Sequence, residues 1–235
     1  MILSAPTLAD INRAAEAAQP REMCGVIVRG KFIEIKNIAE DNRSFLMDPK
    51  DIIAKTKGKK VEAIVHSHVY EQPIASDADR TGCEQTGVPW VIFSWPNATY
   101  SVIEPCGFTA PLVGRDWCHG SHDCYGLLRD GFKAYTGIEL PNFDRNWEWW
   151  KRGGNIIAEQ FQDAGFTELD QGAKLEHCDV LILQFRSPVP NHCALFLKPE
   201  HILHHIYGRQ STMEIYGGFY QNATVLHLRH KGLMI

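Results

Sequence analysis

Residues 105–114 hold two prolines and two glycines (Pro105, Gly107, Pro111, Gly114) with no hydrophobic period. Such spacing interrupts helices and strands alike, so the chain reads as two units, 1–104 and 115–235, joined by a linker. With 235 residues, 44% hydrophobic and 22% charged, there is material for two small cores. The patterns on the two sides of the break differ in kind.

Before the break, helices and strands alternate. Leu8 to Ala18 reads as a helix capped by Thr7 and stopped by Pro20. Met23 to Val28 and Phe32 to Ile38 read as a hairpin. A short helix opens at Asp48-Pro49, and Val61 to His68 reads as a strand. Ser76 to Thr86 is a helix, followed by strands Val88 to Trp95 and Thr99 to Glu104. This order implies an α/β or α+β unit. After the break, helices (Cys124 to Thr136, Asn155 to Ala164) precede four strand-like runs. These are Val180 to Phe185, His192 to Leu197, Ile202 to Tyr207 and Thr224 to Arg229, an α+β order. Trp147, Trp149 and Trp150 read as a hydrophobic anchor for this unit.

Composition limits the function classes. A net charge of −4 gives no general attraction for nucleic acid or anionic lipid. The one basic cluster (Lys55, Lys57, Lys59, Lys60) reads as a solvated turn. No stretch approaches the ~20 apolar residues of a membrane span, and Met1 to Pro20 lacks the basic and apolar regions of a signal peptide. Seven cysteines cannot all pair within the chain. That fits synthesis in a reducing cytosol, with thiols available for metal binding or catalysis.

Two constellations carry chemistry. In the first unit, His66 and His68 are two apart on a strand and share a face. Ser76 and Asp79 are three apart at a helix start and share a face there. Two imidazoles and a carboxylate make three ligands and leave a fourth zinc position open. The same Ser-x-x-Asp is also an ordinary capping box. In the second unit, Asp123 suits a helix N-cap, which puts Cys124 at the first helical position. There the helix dipole favours thiolate, the nucleophilic form. His192 opens a strand and can serve as base, while His204 and His205 face opposite sides of the next strand, so only one can join. An alternative makes Cys118, His119, His122 and Cys124 a structural zinc site, although their spacing matches no usual finger.

The first pattern, HxH followed after seven residues by SxxD, resembles the JAMM (Mov34/MPN/PAD-1) metallopeptidases, with Glu22 matching their upstream glutamate. The resemblance implies that His66, His68 and Asp79 bind zinc, Glu22 is the general base and Ser76 helps hold the oxyanion. Val69 stands where many members have proline. The second pattern is similar to the NlpC/P60 cysteine peptidases, which are papain-like and act on bacterial cell-wall peptides. Their Asp-Cys-Ser-Gly appears as Asp123 to Gly126 with Tyr125 in place of serine, and their Gly-Asp as Cys178-Asp179. That resemblance implies Cys124 as nucleophile, His192 as base and His204 as its orienting partner.

The two domains in this order resemble the tail-tip assembly proteins of lambda-like phages. The resemblance implies cleavage of peptidoglycan stem peptides to aid genome entry, with other tail-tip proteins as partners. It places the protein in the host cytoplasm during assembly and then at the virion tail tip. Two alternatives remain: a structural assembly factor with one or both sites degenerate, and a cellular isopeptidase acting through the JAMM-like half.

Overall fold

The computed structural model describes residues 2–39, 41–143, 145, 159–170 and 172–234. The chain divides into two compact units, Met1–Ala110 and Pro111–Ile235. Residues 147, 149, 150 and 155–158, which include the expected tryptophan anchor and the start of the Asn155 helix, lie outside the described residues.

The first unit runs α1 (Ala5–Ala18), β1 (Cys24–Val28), β2 (Lys31–Ile35), α2 (Pro49–Thr56), β3 (Ala63–Val69), α3 (Asp77–Thr86), β4 (Trp90–Trp95) and β5 (Thr99–Ile103). Its sheet has the order β2-β1-β3-β4-β5. Only β3 and β4 pair in parallel, which requires a crossover, and α3 supplies it. Helix α1 starts earlier than its hydrophobic period suggests, because Ser4 and not Thr7 is the cap. Ser4 Oγ accepts from Thr7 N, while the Thr7 hydroxyl donates to Gly30 O at 2.8 Å.

Both faces of this sheet are covered. Ile11, Ala14 and Ala15 of α1 pack on Ile27, Val65, Val91 and Phe93. On the other face Cys83 of α3 joins Val26, Val28, Ile64 and Trp90. Each fully buried aliphatic side chain contributes roughly 1.5–3 kcal/mol relative to exposure. The even-numbered residues of β3 face α3, which sets where its two histidines point. Beyond β5 the chain stays with this unit, because Glu84 Oε1 accepts from Cys106 N at 2.6 Å and Phe108 N at 3.0 Å.

The second unit runs α4 (Cys124–Thr136), β6 (Phe166–Glu168), β7 (Val180–Leu183), β8 (His192–Leu197), β9 (His201–His204), β10 (Thr212–Ile215), α5 (Gly218–Ala223) and β11 (Thr224–His230). Its sheet is antiparallel throughout, in the order β10-β9-β8-β7-β11-β6. Helix α4 lays Leu127, Leu128 and Phe132 on Val180, Ile182, Leu195 and Leu203. The opposite face buries Leu181, Leu183, Ala194, Phe196 and Ile202 under Tyr216, Tyr220 and Ala223. Strands β6 and β10 and helix α5 were not legible beforehand, since three to six residues are too few to show a period. Cys178 holds φ 70°, a left-handed conformation that glycine adopts without strain, just before the buried Asp179.

Candidate active sites

In the first unit, β3 and the start of α3 converge. His66 Nε2 lies 3.2 Å from His68 Nε2 and 3.1 Å from Asp79 Oδ1, and His68 Nε2 lies 3.5 Å from Asp79 Oδ2. Ligands placed tetrahedrally on zinc at ~2.0–2.1 Å stand roughly 3.3 Å apart, so the three donors have the spacing such an ion requires. Among the described residues this is the one group of three or more His, Cys, Asp and Glu whose donor atoms converge within 4.8 Å. Cys118, His119, His122 and Cys124 do not converge in that way, and the structural-zinc alternative falls with them.

The local sequence holds these ligands rigidly. Ser76 caps α3, its Oγ accepting from Asp79 N and donating to Asp79 Oδ2 at 2.8 Å, and Ser76 N also donates to Asp79 Oδ2 at 2.8 Å. The capping box and the ligand geometry are thus one arrangement. His68 Nδ1 is fixed against Gln72 O at 3.1 Å, and the His66 ring stacks on Phe45 at 4.6 Å.

The charges follow from this packing. Burial alone would raise Asp79, but hydrogen bonds from His66 and His68 hold it well below the usual carboxylate range. Burial opposes a charge on His68, and its contact with Asp79 outweighs that and raises it. Glu22 precedes β1 and is buried beside the cluster. Burial pushes its carboxyl up to about 7, with His66 and His68 opposing the rise.

In the second unit, Cys124 is the first residue of α4 and is almost fully buried. The Asp123 cap accepts from Gly126 N at 2.7 Å and Gly120 N at 2.9 Å. Arg145 grips the same carboxylate with Nε at 2.9 Å and Nη2 at 3.2 Å, and its guanidinium lies 5.0 Å from the Tyr125 ring. Burial would raise Asp123, but Arg145 outweighs it and the carboxyl sits below its usual range.

Cys124 itself is drawn well below the usual thiol range. A hydrogen bond with Cys193 contributes most, burial opposes, and His192 adds a hydrogen bond and its charge. The Cys193 thiol is raised by the same hydrogen bond and by burial. We place the thiolate on Cys124 because it alone of the two occupies a helix N-terminus.

Strand alternation turns Cys193 toward α4, and His192 approaches Cys124 from the first position of β8. His192 Nε2 lies 3.2 Å from His204 Nδ1, both rings being buried. The register pairs Ala194 with His204, which puts His204 on the His192 face. His205 faces the other way, buried against Trp117 with Nε2 3.0 Å from Arg209 O. It therefore packs on the side opposite His204, as strand alternation implies.

Gly126 explains part of the motif. A Cβ there would overlap the Ser121 carbonyl oxygen, a backbone atom that cannot step aside. Gly126→Ala is expected to destabilise the second unit by about 1–3 kcal/mol, read as a lowered denaturant midpoint with an unchanged slope. An unchanged midpoint would mean that the Ser121 turn is not held against the helix.

Sequence reasoning missed Arg145, Cys193 and Glu214, which approaches His204 Nε2 at 3.9 Å. The acidic Asp123 before the nucleophile was the one available signal, since a buried carboxylate demands a cation.

Comparison with known proteins agrees with this two-part layout. The model of prokaryotic homologs of the JAB domain matches residues 4–103, and that of the NlpC/P60 family matches residues 114–229. Tail tip assembly protein K of Escherichia phage N15 is 33% identical over 232 residues, 96% of this chain and 94% of that protein. The chain belongs to the tail tip assembly protein K family. The K protein of Escherichia phage lambda is 33% identical over 185 residues, 79% of this chain and 89% of its own.

Among solved structures, a JAB1/MPN domain protein from Archaeoglobus fulgidus is 21% identical, with TM-score 0.33, over 45% of this chain and 90% of its own. An NLP/P60 family protein from Staphylococcus aureus is 12% identical, with TM-score 0.33, over 95% of this chain and 61% of its own. This K-family member thus consists of two α+β domains of peptidase families, JAB/MPN-like and then NlpC/P60, with a group able to hold a metal in the first.

Proposed function

We propose that the second domain is a cysteine endopeptidase that cuts peptide bonds in peptidoglycan stem peptides, and that it works at a phage tail tip to aid genome entry. The observation that carries this reading is the acidified Cys124 thiol at the start of α4, backed by the His192–His204 pair at 3.2 Å. In the reaction, the Cys124 thiolate attacks the scissile carbonyl and His192 gives its proton to the leaving amine. Water then enters, His192 takes a proton from it, and the thioester is hydrolysed to free acid and thiolate. His204 holds the His192 ring in the orientation both steps need.

For the first domain we assign a zinc-dependent peptidase or isopeptidase site held by His66, His68 and Asp79. Zinc bound there would supply the Lewis acidity that brings deprotonation of a water close to neutral pH. Glu22, buried beside the cluster, is positioned to take and return a proton, and Ser76 keeps Asp79 aimed at the ligand position. His68→Ala is expected to abolish binding of about one zinc per chain, read by elemental analysis after dialysis, while Cys118→Ala retains it. Retention of the metal by the His68 variant would remove this assignment.

The relatives are described as assembly proteins, which supports a second reading: a structural part of the tail tip, built with other tail-tip proteins. Purified muropeptides incubated with the protein and analysed by mass spectrometry separate the two. Appearance of paired peptide fragments supports hydrolysis, and intact muropeptides after prolonged incubation support the structural role.

A further inference from the structure

His204 is buried with only one ring nitrogen satisfied. Its Nδ1 meets His192 Nε2, while its Nε2 has no hydrogen-bond partner. An unsatisfied buried polar group costs about 1–3 kcal/mol, and in a native structure it asks for a reason. The tautomers sharpen the point. For His192 to carry a proton on Nε2, His204 Nδ1 must be the acceptor, so His204 must hold its own proton on Nε2. The orphaned atom is therefore a donor, buried and aimed outward from the pair.

A carboxylate lies in front of it. Strand β10 runs beside β9 with Thr212 opposite His204 and Glu214 opposite Ile202, which puts the Glu214 side chain on the histidine face. Glu214 Oε1 is 3.9 Å from His204 Nε2. Its other oxygen accepts from the Tyr220 hydroxyl, and the Tyr220 ring stands edge-on to His204 at 5.0 Å. A half-exposed glutamate can close a gap of that size by a small torsional adjustment.

We infer that Glu214 is a positioning residue of the cysteine site, accepting the His204 Nε2 proton and so fixing the tautomer that orients His192, with Tyr220 holding Glu214 in place. The inference rests on the reading of Cys124 as nucleophile. Glu214 acts through His204 and touches neither substrate nor thiol. The neutral state this relay needs is also built in. Burial pushes His204 down to about 3, with the charges of His192, His205 and Arg209 acting in the same direction. His204 therefore stays neutral, and it orients its neighbour without carrying charge itself.

The test uses the full chain and follows iodoacetamide alkylation of Cys124 against pH by peptide mapping, beside thermal melting and stem-peptide cleavage. Removing the carboxylate weakens the thiolate–imidazolium pair. Glu214→Gln, nearly isosteric, is expected to move the alkylation midpoint upward by roughly half to one pH unit, about 0.7–1.4 kcal/mol. It should also lower kcat by about 3- to 10-fold with KM little changed. Glu214→Ala should shift the midpoint at least as far, and Tyr220→Phe less. A merely structural role would lower the melting temperature and leave the midpoint where it was, and an unmoved midpoint in folded Glu214→Gln overturns the inference. If wild-type Cys124 shows no alkylation below the ordinary thiol range, the nucleophile assignment fails and the inference falls with it.

Discussion

Cys124→Ala is expected to lose stem-peptide cleavage by a factor on the order of 10⁴ or more, as removal of a nucleophile does elsewhere, while the domain stays folded. The change trims one sulfur at the first position of α4, where no backbone hydrogen bond depends on it. The helix itself stays capped by Asp123, whose carboxylate bonds Gly126 N and Gly120 N independently of the thiol. Cys118→Ala, six positions earlier in the chain, should cleave at close to the wild-type rate. The pair of rates, each measured on protein with wild-type circular dichroism, decides the matter. A dead Cys118 variant beside an active Cys124 variant would move the nucleophile.

The second large effect is on stability. Arg145 meets Asp123 through two nitrogens, and both residues are buried. Breaking a buried pair by removing one partner costs about 3–5 kcal/mol, because the remaining charge is stranded. Arg145→Met is therefore expected to destabilise the second domain by about that amount, seen in chemical denaturation followed by the fluorescence of that domain. Asp123→Asn with Arg145→Met should recover part of the loss, since no charge is then left unpaired.

The pH dependence has a definite sign. Asp123 and the buried Asp179, which Arg229 and His227 hold, both sit below the usual carboxylate range despite burial. Their stabilisation is present above the unfolded value of ~3.9 and is lost as pH falls toward the lowered folded values. A loss of only a few tenths of a kcal/mol in Arg145→Met would show that water replaces the guanidinium.

These sites differ in how far local chemistry announces them. His66 with His68, and Ser76 with Asp79, are paired by short-range rules, strand alternation and a helix cap, so each shared face is legible before any tertiary structure, while the convergence of the two pairs rests on α3 packing against β3. Cys124 is legible for the same reason, through Asp123 as cap. The choice between His204 and His205 is different. Alternation says that they diverge, but which one meets His192 depends on the β8–β9 register, in which Ala194 pairs with His204. Arg145 and Glu214 depend wholly on tertiary contacts. One lies in an aperiodic stretch 22 residues from Asp123, and the other on a four-residue edge strand, where no period can build up.

Both domains are of peptidase families, so the central claim of the proposal is that the cut in the stem peptide is made at Cys124. Cleavage of one purified muropeptide, followed in parallel samples after thiol alkylation and after zinc chelation, tests it most directly. The account predicts that alkylation, with modification mapped to Cys124, abolishes the cut while chelation leaves its rate within about twofold, since no step of the cysteine reaction uses the metal. Cleavage that survives complete alkylation of Cys124 and disappears on chelation would contradict it.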